Sequence, residues 1–147
     1  MMAPGDLGGA AILMGVFLAI IAGSEAWSRL GNPSAEASRK AVHLGSGLAC
    51  LLFPLLVTSP WVVLVMAGAM TGFFRLTAHF GLLESVHGVE RRSRGSEYYP
   101  LAIFLVFVLA GDDFAIYVSS VLVLGVADAF AALVGSKWGR LRYTVQE

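Results

Sequence analysis

The chain has 147 residues, of which 57% are hydrophobic. Only 14% are charged, against about 25% in an average soluble domain, and the mean hydropathy is +0.76. Several apolar runs approach the roughly 20 residues with which a helix crosses a bilayer. These properties exclude an ordinary soluble domain and predict an all-α, polytopic membrane protein forming one domain over residues 1–147. The single cysteine, Cys50, offers neither a disulfide partner nor metal-ligand spacing.

Five membrane spans are expected, separated by polar segments or short turns. Ser34 is expected to cap the second helix and Asp113 the fifth, while Thr58–Pro60 and Gly111–Asp113 are predicted turns. The expected spans are residues 8–23, 41–57, 61–74, 98–110 and 114–134. Four or six spans are the alternatives. A cleaved signal peptide is the rival interpretation of the first span, although the basic n-region of such a peptide is missing.

All Lys and Arg residues lie in three polar segments, at residues 24–40, 75–99 and 137–142. The two intervening turns contain none. In a chain with five spans, the three basic segments fall on the same side of the membrane, and the positive-inside rule makes that side cytoplasmic. The N-terminus is therefore expected outside and the C-terminus in the cytoplasm.

The last apolar span contains one acidic residue, Asp128. A carboxylate at membrane depth costs roughly 2.5–3.5 kcal/mol on insertion scales, so such a residue usually faces a protein interior and often marks a site. Magnesium is usually held by one or two carboxylates together with substrate phosphates. Asp128 is thus predicted to be a metal ligand or a base. The alternative is a helix–helix hydrogen bond or an ion pair with Arg or Lys.

Arg39, Lys40 and His43 lie where the second span enters the membrane from the cytoplasm. Arg39 is suited to bidentate phosphate binding and Lys40 to binding as a point charge. The alternative is that the basic pair snorkels to the interface, which does not require His43.

A second polar cluster, residues 90–100, combines arginines, a glycine and hydroxyl groups at a helix start. Free amide groups and the helix dipole favour an anion at such a position, and the arrangement suits a phosphate. The alternative is a basic cytoplasmic loop in which Ser96 and Glu97 cap the helix.

Three motifs occur in a fixed order along the chain. They are Arg39–Lys40-x-x-His43, Arg94–Gly95–Ser96–Glu97–Tyr98–Tyr99–Pro100 and Asp128-x-x-Ala131-x-x-x-Gly135-x-x-x-Gly139. Together they resemble the polyprenol kinase family, which includes dolichol kinase, phytol kinase and CTP-dependent diacylglycerol kinase. The family usually continues past the aspartate motif with a Lys–Ser-x-x-Gly stretch and further spans, so the chain is expected to be an incomplete member.

The resemblance implies transfer of the γ-phosphate of CTP to the hydroxyl group of a membrane isoprenoid alcohol or of diacylglycerol. It implies Mg²⁺ as the cofactor, held by Asp128, with Glu97 as a weaker second ligand. His43 would orient or deprotonate the alcohol. The residues expected to bind the nucleotide phosphates are Arg39, Lys40, Arg94, Ser96 and Lys137.

The expected partners are CTP, a membrane lipid alcohol and the bilayer, with no nucleic acid. The expected location is a bacterial inner membrane, with the active face toward the cytoplasm. The Gly68-x-x-x-Gly72 face could hold the lipid tail, and it permits a homo-oligomer.

Two other functions stay open at this point. One is a CTP-dependent cytidylyltransferase of the phosphatidate type, which would release pyrophosphate where a kinase releases CDP. The other is a non-catalytic membrane subunit or a transporter that uses Asp128 as an ion or proton site.

Overall fold

The computed structural model describes residues 5–31, 33–87 and 95–139. Nearly all of these residues are helical, and no strand occurs among them. A π-helical segment, Val123–Ala127, joins the last two helices without a break. The α-helices in chain order are α1 (Asp6–Gly31), α2 (Ala35–Cys50), α3 (Phe53–Leu56), α4 (Pro60–His79), α5 (Glu84–His87), α6 (Gly95–Ala110), α7 (Phe114–Leu122) and α8 (Asp128–Trp138).

Three stretches of helix are long and apolar enough to cross a membrane, and they alternate with shorter helices. They are Asp6–Gly31, Pro60–His79 and Phe114–Gly135, while Glu97–Ala110 is a shorter apolar helix. Helix α4 packs along α6, and α1 packs along α2. The predicted fold class, a helical membrane bundle, is therefore confirmed. The count of five spans stays a prediction.

The second expected span, residues 41–57, is divided in the structure between α2 and α3. Pro54 explains the break, because it has no amide hydrogen and its ring clashes with a helical carbonyl four residues earlier, here that of Cys50. That carbonyl accepts a hydrogen bond from the Tyr117 hydroxyl at 2.8 Å instead. A buried backbone group thus keeps a partner although the helix ends there.

The helix ends partly match the sequence-based expectations. Ser34 accepts a hydrogen bond from the Ala37 amide at 3.3 Å, and Asp113 accepts one from the Ile116 amide at 3.0 Å, so both expected N-caps are confirmed. Helix α6 begins at Gly95 rather than at 98. Helix α8 ends at Trp138, and Gly139, the last glycine of the aspartate motif, follows it in an extended conformation.

Buried acidic side chains connect α1 to its neighbours at both of its ends. Near the start of α1, the Asp6 carboxylate accepts hydrogen bonds from the amide and the hydroxyl group of Thr58, at 2.7 and 3.1 Å. Near the other end, Glu25 accepts hydrogen bonds from the Ser85 amide at 3.1 Å and from Arg29 Nε at 2.9 Å. These bonds fix α1 against the turn before α4 and against α5.

Candidate active site

The last long helical stretch, Phe114–Gly135, hereafter the last long helix, changes its hydrogen-bond pattern directly before Asp128. Over the π segment, Val123–Ala127, the turns are wider, and the Asp128 amide donates to the carbonyl of Val123, five residues earlier. In an α-helix the same amide would donate to Leu124, four residues earlier. Such π-helical turns are rare and frequently occur at functional sites.

His43, on α2, contacts the Leu124 carbonyl, which this change in hydrogen bonding makes accessible. Its Nε2 lies 3.0 Å from the carbonyl oxygen of Leu124. A carbonyl oxygen can only accept, so the hydrogen bond places a proton on Nε2. The contact joins two segments that are far apart in the sequence, and the motif around His43 is thereby brought to the aspartate motif.

Asp128 meets Lys40 and His43 of α2 at this point. Asp128 Oδ2 lies 3.5 Å from His43 Nε2 and 3.7 Å from Lys40 Nζ. The Asp128 side chain is 62% exposed, whereas those of His43 and Lys40 are 24% and 10% exposed. One carboxylate oxygen of Asp128, Oδ2, therefore lies near two nitrogen groups, and the rest of the side chain is exposed to a ligand.

Two glycines let the π segment approach α2 closely. A Cβ atom on Gly47 would lie 3.0 Å from Gly125 Cα, and a Cβ atom on Gly125 would lie equally close to Gly47 Cα. Tyr99, from α6, completes this crossing: its hydroxyl group lies beside both glycines, and its ring packs edge-on against His43 with the centroids 4.7 Å apart. Neither glycine is among the residues predicted for the site from the sequence, and Tyr99 is included there only as part of the motif from Arg94 to Pro100.

The structure describes two of the remaining predicted site residues, Glu97 and Arg39. Glu97 forms an ion pair with Arg75, whose Nε lies 2.8 Å from Glu97 Oε2, and its carbonyl accepts a hydrogen bond from the Thr71 hydroxyl at 3.1 Å. It therefore ties α6 to α4, and no contact with Asp128 is seen. Arg39 precedes Lys40 on α2 and is partly buried. Arg94 lies outside the described residues, as do the side chains of Ser96 and Lys137.

The described part of the chain offers one carboxylate at this place. It contains no cluster of three or more His, Cys, Asp or Glu side chains that could enclose a metal ion. Magnesium, however, is usually bound by one or two carboxylates and by substrate phosphates, and it keeps several waters. The exposed carboxylate of Asp128 therefore fits an ion that is shared with a phosphate ligand, and the Lys40 ammonium group lies beside this carboxylate.

Among the described residues, two of the open apolar surfaces are relevant to the predicted lipid tail. A groove of about 450 Å³ separates α6 from the last long helix and reaches Leu124, whose carbonyl bonds His43. The Gly68-x-x-x-Gly72 face of α4 is also open, because a Cβ atom on either glycine would contact nothing within 4 Å.

Comparison with known proteins adds one relative. Phytol kinase from Synechocystis sp. is 35% identical over 131 residues, which covers 86% of this chain and 55% of the relative. The chain therefore spans about half the length of the curated relative that it matches. No family model and no solved structure matches the chain. The similarity to phytol kinase agrees with the three motifs and supports assignment of the chain to the polyprenol kinase family.

Proposed function

We propose that this chain carries the phosphoryl-transfer site of a lipid-alcohol kinase. The observation that supports the proposal is the convergence of Asp128, Lys40 and His43, which come from two of the three family motifs. The similarity to phytol kinase supports the same class of reaction. The donor that we propose is CTP, and the acceptor is the hydroxyl group of a membrane isoprenoid alcohol or of diacylglycerol.

Phosphoryl transfer asks little covalent chemistry of the protein and depends on positioning and on neutralisation of charge. Asp128 would hold Mg²⁺, which when bound neutralises and orients phosphate oxygens. Lys40, next to the same carboxylate, would contact a phosphate oxygen. Glu97 is a weaker candidate for a second metal ligand, because it is paired with Arg75. The other residues that we propose for the nucleotide phosphates are Arg39, Arg94, Ser96 and Lys137.

His43 would orient or deprotonate the acceptor alcohol. The groove between α6 and the last long helix is the better placed of the two surfaces for the lipid tail, because it reaches Leu124 beside His43. A hydrocarbon chain in this groove would bring its hydroxyl end toward Asp128. The Gly68-x-x-x-Gly72 face would then be free for contact with a second copy of the chain.

The site is proposed to open to the cytoplasm of a bacterium, at its inner membrane. CTP is supplied there, and the basic segments of the chain fall on that side under the positive-inside rule. The long apolar helices support the membrane location itself.

Transfer of labelled phosphate tests the proposal. Purified protein is incubated with Mg²⁺ and γ-labelled CTP or ATP, and with phytol, a dolichol analogue or diacylglycerol; label in the organic phase is then counted. We expect transfer from CTP, a loss of at least about a hundredfold in Asp128→Asn, and wild-type transfer in Asp112→Asn, which changes an exposed carboxylate in a turn. Equal transfer by both variants would remove Asp128 from the mechanism.

The reaction products separate the competing functions. CDP and a phosphorylated lipid are the products of the kinase. Release of pyrophosphate would instead identify a cytidylyltransferase. Absence of nucleotide binding, combined with cation or proton transport that is lost in Asp128→Asn, would identify a transporter.

A further inference from the structure

We infer that His43 is a positioning residue: its Nε2–H group, bonded to the Leu124 carbonyl, holds the π segment and the adjoining Asp128 in place. The inference rests on the proposed kinase function. It gives the histidine of the Arg39–Lys40-x-x-His43 motif a role toward Asp128, which is distinct from contact with the alcohol.

The contacts of the His43 imidazole ring determine which of its nitrogens carries the proton. A neutral imidazole carries one proton, and its two nitrogens are then a donor and an acceptor. The Leu124 carbonyl, 3.0 Å from Nε2, can only accept. Asp128 Oδ2, 3.5 Å from the same nitrogen, is also an acceptor when ionised. Both neighbours therefore favour the tautomer with the proton on Nε2, so the nitrogen that faces Leu124 and Asp128 is a hydrogen-bond donor.

The π segment makes the Leu124 carbonyl available as an acceptor. Because the Asp128 amide donates to Val123, the Leu124 carbonyl loses the donor that an α-helix would provide. A backbone carbonyl at membrane depth requires another partner. His43 provides it, so the π segment and the histidine stabilise each other.

The neighbouring helices hold the His43 ring in place. Tyr99 packs edge-on against it, and the close contact of Gly47 with Gly125 keeps α2 against the π segment. Only 24% of the His43 side chain is exposed. The ring is therefore confined between three helical segments, which suits a group that fixes geometry.

Asp128 is the residue that this arrangement positions. Its amide is fixed by the bond to Val123, and one carboxylate oxygen lies near both the His43 Nε2–H group and Lys40. Loss of the Nε2–H group should therefore allow the carboxylate to turn and should weaken metal binding.

Two amide substitutions at one position test the role of His43. The side-chain nitrogen of Gln reaches about as far as Nε2, whereas that of Asn reaches only as far as Nδ1. We expect His43→Gln to retain kcat within about threefold, and His43→Asn to lose about tenfold or more, the typical effect of one lost hydrogen bond. We also expect the Mg²⁺ concentration for half-maximal activity to rise only in His43→Asn. A general base contributes about 10²–10⁴-fold, so a loss of that size in both variants would overturn the inference.

A measurement that needs no catalytic turnover tests the His43 contact separately from the proposed kinase function. In protein labelled with ¹⁵N-histidine, NMR correlations of the ring distinguish the two neutral tautomers, and the signal that disappears in His43→Gln belongs to His43. We expect the tautomer protonated at Nε2. A ring protonated at Nδ1 would overturn the inference even if the protein phosphorylates lipids. The predicted tautomer in a protein without kinase activity would support the positioning contact and reject only the proposed function.

Discussion

The hydroxyl group of Tyr117 donates a hydrogen bond to the backbone carbonyl of Cys50 over 2.8 Å, at the residue where α2 ends. Tyr117 is 2% exposed, so no solvent can replace it. The bond compensates for the donor that Pro54 lacks. A proline inside an apolar segment is thus accommodated by a tyrosine on another helix.

Substitution of Tyr117 by Phe should therefore destabilise the bundle, because the Cys50 carbonyl would lose its partner. We expect a loss of about 1–2 kcal/mol in the free energy of unfolding, within the range for one buried hydrogen bond. Unfolding by SDS in mixed micelles measures it. Tyr98→Phe is the matched control, since Tyr98 is 54% exposed and should show no change. Equal stability of the two variants would contradict the importance of the bond.

Gly47→Ala should separate α2 from the π segment, because its Cβ atom would lie 3.0 Å from Gly125 Cα. Overpacking of this kind typically costs about 1–3 kcal/mol. It should also displace Leu124 from His43 and reduce activity. Gly68→Ala is the control, because a Cβ atom there meets nothing within 4 Å. Stability to SDS and labelled-phosphate transfer, measured on both variants, check the prediction; equal behaviour would show that the crossing tolerates a methyl group.

Asp6→Ala should weaken the contact between α1 and the turn before α4. Asp6 accepts two hydrogen bonds from Thr58, and its removal would leave a backbone amide without this acceptor. We expect a loss of about 1–3 kcal/mol in the free energy of unfolding. Thr58→Val removes only the hydroxyl donor and should cost less, about 1 kcal/mol or below. A larger effect of Thr58→Val than of Asp6→Ala would contradict the assignment of the amide bond as the stronger one.

Glu97→Gln tests whether Glu97 is a metal ligand or a partner of Arg75 alone. Because its carboxylate is 2.8 Å from Arg75 Nε, we expect the Mg²⁺ concentration for half-maximal activity to change by less than about twofold, whereas Asp128→Asn should abolish activity. The measurement is a Mg²⁺ titration of transfer activity. Arg75→Met is the companion variant, and it should resemble Glu97→Gln if the ion pair is the only role. An increase of tenfold or more in Glu97→Gln alone would establish Glu97 as a ligand.

The sequence alone determined the class of the protein and much of its local structure. The shortage of charge and the long apolar runs specify membrane helices because lipid cannot satisfy exposed backbone groups. Ser34 and Asp113 specify helix starts, since a cap depends only on residues within one turn. The position of Asp128 in an apolar run predicts that it is a site residue, and the order of three motifs indicated the family that the similarity to phytol kinase supports.

The tertiary structure alone decided which residues meet Asp128. A π-helical turn has no sequence signature of its own, because the wider hydrogen bonds are stabilised by contacts with other helices, here His43 on Leu124 and Gly47 on Gly125. The pairing of Glu97 with Arg75 likewise depends on how α6 lies against α4. Sequence spacing specifies the face of one helix, but the contacts between faces arise only when the helices pack.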